Sequence, residues 1–321
     1  MPISAYPANI IIFIHYLCAM DKFYGEICQF LHDYGLHIYK VGEGYGHISV
    51  KAECSGNDRA IPLMLLGTPA TSQEEAERQH AEASAEIARL TDESGTYPLI
   101  LTEDRWSSQG EMTRSRLLAH LEIFTQIYAR NCEVRRIDKA TAQNFLQTSH
   151  SYGDAACKYR YGLYLKRHTG HNALRLSESN DNPDGQAIAA LQPGTLIAVA
   201  TFSNARKWIK GDKTIRSYEW TRYASLPGVR LSGGMGKVLK TFIKEVQPDD
   251  IMTYADLEWS EGKVYEQLGF ALEGVKEPVT FLIDGDCWRR PDRPDIPAME
   301  EDRWLRNFGS NKYRLKLTDY Q

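Results

Sequence analysis

Gly233, Gly234 and Gly236 form a turn just ahead of an amphipathic run, with Met235 between them and Lys237 after them. Such glycines leave backbone N–H groups uncovered at a helix N-terminus, where free donors and the helix dipole favour an anion. Lys237 adds a positive charge. A phosphate or pyrophosphate suits this turn, and so does a plain tight connection between strand and helix. A second constellation is basic. Residues 201 to 240 hold nine Lys or Arg and two acidic residues, in a chain of formal net charge −4. Arg206, Lys207, Lys210, Lys213 and Arg216 are opposed locally by Asp212 alone, and Trp208 lies among them. Lys158, Arg160, Lys166 and Arg167 interleave with Tyr159, Tyr161 and Tyr164. Basic residues mixed with aromatics suit phosphate contacts and base stacking, which makes nucleic acid a candidate partner. A solvated hairpin balanced by Asp249, Asp250, Glu258 and Glu261 accounts for them equally well.

No metal is expected. His168 and His171 have no cysteine or carboxylate at ligand spacing. The six cysteines (18, 28, 54, 132, 157 and 287) form no CxxC pair. Their scatter argues for reduced thiols and a cytoplasmic location. The apolar run Ile10 to Ile14 is too short to span a bilayer, and Pro2 and Pro7 without a basic region argue against a signal peptide. At 321 residues, 42% hydrophobic and 25% charged, the chain has the composition of a globular protein with room for two domains.

The elements around the glycine turn follow from periodicity. Tyr218 to Ala224 reads as a strand. Val238, Leu239, Phe242, Ile243 and Val246 form the core-facing stripe of a helix that Pro248 ends. Ile251 to Ala255 reads as a short buried strand. Ser260 is expected to cap a helix running to Leu268, and Gly269 to stop it in a left-handed conformation. Earlier, Cys132 to Ile137 reads as a strand, Thr141 to Thr148 as a helix, and Tyr161 to Lys166 and Thr195 to Phe202 as paired strands. Residues 168 to 194 are polar and read as a mobile insertion around Asn180–Gly185. Val279 to Ile283 is expected to close the sheet, and Tyr313 to Leu317 to add an edge strand.

Strand, Gly234-Met235-Gly236 turn, helix, strand, and then a helix ending Tyr265-Glu266-Gln267-Leu268-Gly269-Phe270 resemble the core of the GNAT acyltransferases. The resemblance implies a mixed, mainly antiparallel sheet flanked by helices, an acyl-CoA cofactor with its pyrophosphate on Gly233 to Lys237, and Tyr265 as the acid that protonates the leaving thiolate. For an amine acceptor it implies a base, Asp256 first and His150 second. Core packing for Tyr265 and helix capping for Asp256 suit the same residues. The family's usual Gln or Arg three residues before the first glycine is Leu231 here. Tyr254-Ala255-Asp256 followed by Tyr265 is similar to the Mom-type branch found among phage DNA-modification proteins. Residues 127 to 283 are similar to the C-terminal part of phage proteins with a homing-endonuclease-like N-terminal half.

The first hundred residues read as a small α/β domain. Lys22 to Leu31 is expected to be helical, and Leu36 to Val41, His47 to Lys51, Ile61 to Leu66 and Pro98 to Thr102 to be strands. Ser72 with Glu75 forms a capping box that opens a helix through Leu90, with Ala76, Ala83, Ile87 and Leu90 inward. Tyr97 to Trp106 resembles a late strand of Vsr-like endonucleases. Glu53, Asp58, Glu103 and Asp104 are metal-ligand candidates by type, in a domain expected to be a degenerate nuclease. Ser107 to Arg130 reads as one helical join. The expected organisation is an α/β (α+β) chain: residues 1–130, a GNAT-like domain over 131–290, and a tail over 291–321. Two functions compete. One is an acyl-CoA-dependent transferase associated with nucleic acid or a mobile element. The other is a non-catalytic DNA-binding or interaction protein that keeps the fold.

Overall fold

The structure, a computed structural model, describes residues 8–54, 60–167, 191–291, 298–299 and 301–319. His168, His171, Asp58, the Asn180–Gly185 stretch and most of the proline-rich tail lie outside them. The chain is mixed α/β, with mostly antiparallel sheets flanked by helices. It divides into two units. Unit 1 comprises Met1–Gly110, Leu257–Ser260 and Glu277–Gly309; unit 2 comprises Glu111–Asp256, Glu261–Lys276 and Ser310–Gln321. The division thus departs from the expected breaks near 130 and 290, because segments distant in sequence complete each unit. Among the described residues no helix is long and apolar enough to cross a membrane.

Unit 1 begins with α1 (Ala8–His32). Four strands follow in spatial order: β1 (Leu36–Gly44), β2 (His47–Cys54), β3 (Ile61–Leu66) and β4 (Leu99–Thr102). β3 and β4 are parallel, so a crossover must join them, and α2 (Gln73–Ser94) does so. Ser72 caps α2 by accepting from the Glu75 amide at 3.2 Å. Ala76, Ala83, Ile87 and Leu90 are buried as expected, and Gln79 joins them to bond the Gly46 and Gly67 carbonyls. A second sheet orders β14 (Thr280–Ile283) between β15 (Arg289–Pro291) and β16 (Arg303–Arg306). Val279 to Ile283 therefore belongs to unit 1 and does not close the other sheet.

Two of the acidic residues offered as metal ligands, Glu103 and Asp104, have other partners. Glu103 accepts from the Thr68 amide and hydroxyl at 2.9 and 3.0 Å. Asp104, 1% exposed, pairs with Arg289 at 2.7 Å, and Arg289 also holds Glu258, itself paired with Arg105 at 2.6 Å. Burial alone would raise the Asp104 carboxyl, but the Arg289 charge and hydrogen bond outweigh it and hold the group below its usual range. Among the described residues no cluster of His, Cys, Asp or Glu could hold a metal.

Unit 2 breaks the expected helical join. α3 (Glu103–Ser108) ends the first segment of unit 1, α4 (Gly110–His120) follows, and Glu122 at φ 64° ends the helical path. Thr125–Tyr128 is then a strand, β5, whose apolar residues fit either period over so short a run. The main sheet runs β13 (Ala271–Lys276), β17 (Ser310–Lys316), β12 (Asp250–Asp256), β10 (Lys213–Ser225), β8 (Leu196–Phe202), β7 (Tyr159–Leu165), β6 (Cys132–Arg136). β9 (Arg206–Lys210) pairs with β10, and β11 (Val229–Ser232) pairs with β5. The segment expected at an edge is β17, which lies inside the sheet because β13 extends past it.

Helices cover both faces. α5 (Lys139–Ser149), capped by Asp138, packs Ala142 and Leu146 on Val199 and Ala224. α6 (Gly234–Val246) packs Val238, Leu239 and Phe242 on the other face, where Phe242 stacks on Phe202 at 3.9 Å. β8 reads LIAVATF, nearly continuous in apolar residues, as a strand covered on both sides must.

Candidate active site

β10 and β12 are the one parallel pair of the main sheet. They pair only where Ser217, Tyr218 and Glu219 face Asp250, Ile251 and Met252. Beyond that point β10 keeps β8 on its other edge and β12 keeps β17, which pairs with it from Asp250 to Asp256, but the two strands no longer pair with each other. The divergence is local to a bulge between Trp220 and Arg222, which leaves Thr221 outside the ladder. Thr253 bridges the fork, its hydroxyl donating to the Trp220 carbonyl at 3.1 Å.

The glycine turn stands beside the fork. Gly233 caps α6 at φ 77°, a left-handed conformation that a side chain rarely adopts, and it is exposed. The first amides of α6 have no partner within the helix. Gly234 is different. A Cβ there would meet the Leu231 side chain at 2.7 Å and crowd the Tyr223 hydroxyl. Gly234 thus makes room for protein, so its substitution disturbs the fold itself and not a ligand alone. Gly234→Val should cost about 1–3 kcal/mol in denaturant unfolding, the usual range for overpacking. Lys237 is also reassigned. Its ammonium donates to the carbonyls of Ala129 and Cys132 at 2.8 and 2.5 Å, fastening the turn before β6. Arg130 is exposed and follows Ala129, whose Cβ lies 3.7 Å from where a Gly233 Cβ would be.

Tyr265 lies on α7 (Lys263–Gln267), which Gly262 starts instead of Ser260. Gly262 has φ 87°, and a Cβ there would meet Ala255 and Tyr313 at 2.6 Å, so only glycine fits. The Tyr265 ring packs against Trp220, Phe270 and Tyr313 at 6.1, 5.7 and 5.6 Å. Burial raises its phenol above the ordinary value, against hydrogen bonding with the Thr253 hydroxyl and the charge of Arg116. The group therefore keeps its proton at neutral pH. Trp220 also meets Tyr223 at 6.0 Å, and Leu268 lies 3.3 Å from where a Gly236 Cβ would be. A line of aromatic rings thus runs from the start of α6 to Tyr265. The Tyr223 hydroxyl is buried in that line, without a hydrogen-bond partner among the described residues.

Asp256 ends β12 opposite Ser310. Strand alternation puts it on the face opposite Thr253 and Ala255, and so opposite Tyr265. His150 caps the end of α5 and accepts the Tyr152 amide at Nδ1, 3.1 Å away. Near it Arg222 donates to the Gly153 carbonyl at 2.9 Å, while Asp154 Oδ1 and Arg160 Nε are buried without partners among the described residues. Sequence reading missed Asp154, Tyr223, Arg130 and Thr253, since none belongs to a spaced motif. Of the basic run, Arg216 is tied to the Gln247 carbonyl and to Asp249, and Lys213 donates to the Asp319 carbonyl at 3.2 Å. Arg206, Lys207 and Trp208 are exposed. A groove of about 910 Å³ lined by Lys213, Ile215, Asp249 and Lys316 lies at the opposite end of β10 and contains none of the catalytic candidates.

No protein-family model matches the chain, and no curated protein matches it. Among solved structures, it is similar to an N-acetyltransferase from Staphylococcus aureus Mu50, with 11% identity, TM-score 0.29, and coverage of 59% of this chain and 99% of that one. A GNAT-family acetyltransferase from Bacillus anthracis gives 13% identity, TM-score 0.28, and coverage of 60% and 98%. A mutant AtaT toxin bound to the C-terminus of the antitoxin AtaR and to acetyl-CoA gives 12% identity, TM-score 0.24, and coverage of 55% and 93%. Scores this low carry no functional argument, and the strand order and site geometry above stand independently of them.

Proposed function

We propose that unit 2 is an acyl-CoA-dependent transferase of the GNAT kind, with its reacting centre at the fork between β10 and β12. The observation that supports this reading is the parting of these two strands after three residue pairs, with a line of packed rings joining Tyr223, beside Gly234, to Tyr265 through Trp220. The residues fit the cofactor. The free amides of Gly234 to Gly236 suit its pyrophosphate, and the unpartnered Tyr223 hydroxyl adds a buried donor beside them. Bound there, an acyl-coenzyme A supplies a thioester whose acyl carbon accepts a nucleophile.

The chain's own groups do the rest. The α6 N-terminus holds and orients negative charge. The aromatic line excludes water from the fork. Tyr265 holds a proton at Oη for a leaving thiolate. Asp256 and His150 remain the base candidates by residue type.

One observation favours a second reading, a non-catalytic module of the same fold. Lys237 is spent on carbonyls, and Leu231 stands where the family has a polar residue. Calorimetry with acetyl-CoA separates the two. Gly233→Asp should weaken binding at least about tenfold relative to Gly233→Asn, because both side chains tolerate the left-handed conformation and only one repels the anion. No binding by the unaltered chain would remove the transferase reading and leave the module.

A further inference from the structure

The β9–β10 hairpin projects beyond the main sheet. β10 pairs with β12 only from Ser217 and with β8 only from Trp220, so Lys213 to Arg216 have β9 as their strand neighbour. Trp208 faces Ile215 across the hairpin, and Lys210 faces Lys213. Strand alternation puts Arg206 and Trp208 on one face, about 7 Å apart, and Lys207 on the other. Trp208 is 49% exposed and Ile209 is 83% exposed. Arg206, Lys207 and Lys213 are exposed as well.

We propose that this hairpin binds single-stranded nucleic acid, with Trp208 stacking on an unpaired base while Arg206, Lys207, Lys210 and Lys213 take phosphates. Arg216 is left out because the Asp249 carboxylate already pairs with it, whereas the exposed Lys213 donates to an uncharged carbonyl, that of Asp319. The layout disfavours a membrane surface. The turn itself is Gly211-Asp212 between lysines, and Trp208 and Ile209 alternate to opposite faces, so no single apolar end is offered to a bilayer. A duplex has no unpaired base for the ring. Because the whole chain is acidic, the attraction is local and must fall steeply with salt. The proposal does not rest on the acyl-transfer reading.

The test is fluorescence anisotropy of the full chain with a short labelled oligothymidylate between about 50 and 200 mM salt. Circular dichroism should first confirm that the variants fold. Binding is expected at the low end. K207A/K210A/K213A should flatten the slope of log affinity against log salt by about two, at roughly 0.7 per phosphate contact. W208A should weaken single-strand binding about tenfold or more and change duplex binding little. The proposal is overturned by no binding at low salt, by an unchanged slope in the triple variant, or by equal loss on single strand and duplex in W208A. Binding to anionic phospholipid vesicles with none to the oligonucleotide overturns it as well.

Discussion

Arg289→Ala is expected to destabilise unit 1 by about 3–5 kcal/mol, the cost of leaving a buried charge without its partner. Arg289 holds Asp104 at 2.7 Å and Glu258 at 2.9 Å, and it donates to the Thr102 hydroxyl at 3.0 Å. Asp104 and Glu258 are 1% and 0% exposed, so water does not replace the lost guanidinium. The pH dependence gives a second reading of the same site. Asp104 is held below its usual range, so its contribution is present above the unfolded value of about 3.9 and is lost as pH falls through the folded value. Without Arg289, burial pushes this carboxyl up instead. The variant's deficit should therefore shrink as pH falls, because Asp104 takes up a proton. Urea unfolding of both forms at neutral and acid pH checks this. A deficit under about 1 kcal/mol at neutral pH, the range of a solvated surface pair, would show that water reaches the cluster.

Tyr265→Phe is expected to slow acyl transfer by about 10²–10⁴-fold, the usual contribution of a positioned acid. The prediction rests on the transferase reading. The change removes one hydroxyl and keeps the ring among Trp220, Phe270 and Tyr313. Binding of acetyl-CoA should stay within a small factor, and the thermal midpoint should shift little. Release of free thiol, followed with a panel of amines, measures the rate. In the unaltered protein the acid form should persist through neutral pH, with activity falling only as the raised phenol ionises. A variant that releases thiol at the full rate but unfolds more easily would make Tyr265 a packing residue.

Much of the local structure was legible in the sequence. The apolar run Ile61–Leu66 matches β3 residue for residue, Ser72 caps α2, and the stripe from Val238 to Phe242 is the buried face of α6. Gly269 has the positive φ, 90°, that its place after a helix implied. These features depend on neighbours within a few positions, so periodicity and turn chemistry record them. The glycine turn ahead of α6 belongs with them.

What the sequence by itself determined is therefore the set of elements and the turn that offers backbone donors. Only the tertiary structure decided which groups are spoken for. The sequence presents Lys237 as a cation beside a phosphate turn, but the carbonyls of Ala129 and Cys132, over a hundred positions away, take its ammonium. Asp104 has the form of a metal ligand until Arg289 arrives from far along the chain. The tail segment became an interior strand because β13 pairs with it. The fork between β10 and β12 opens beside the irregularity of β10 at Trp220 to Arg222, which exists only once β10 has paired with β8. A side chain's type is written locally. Whether its charge faces a ligand or is neutralised within the fold depends on residues that meet only once the chain has closed.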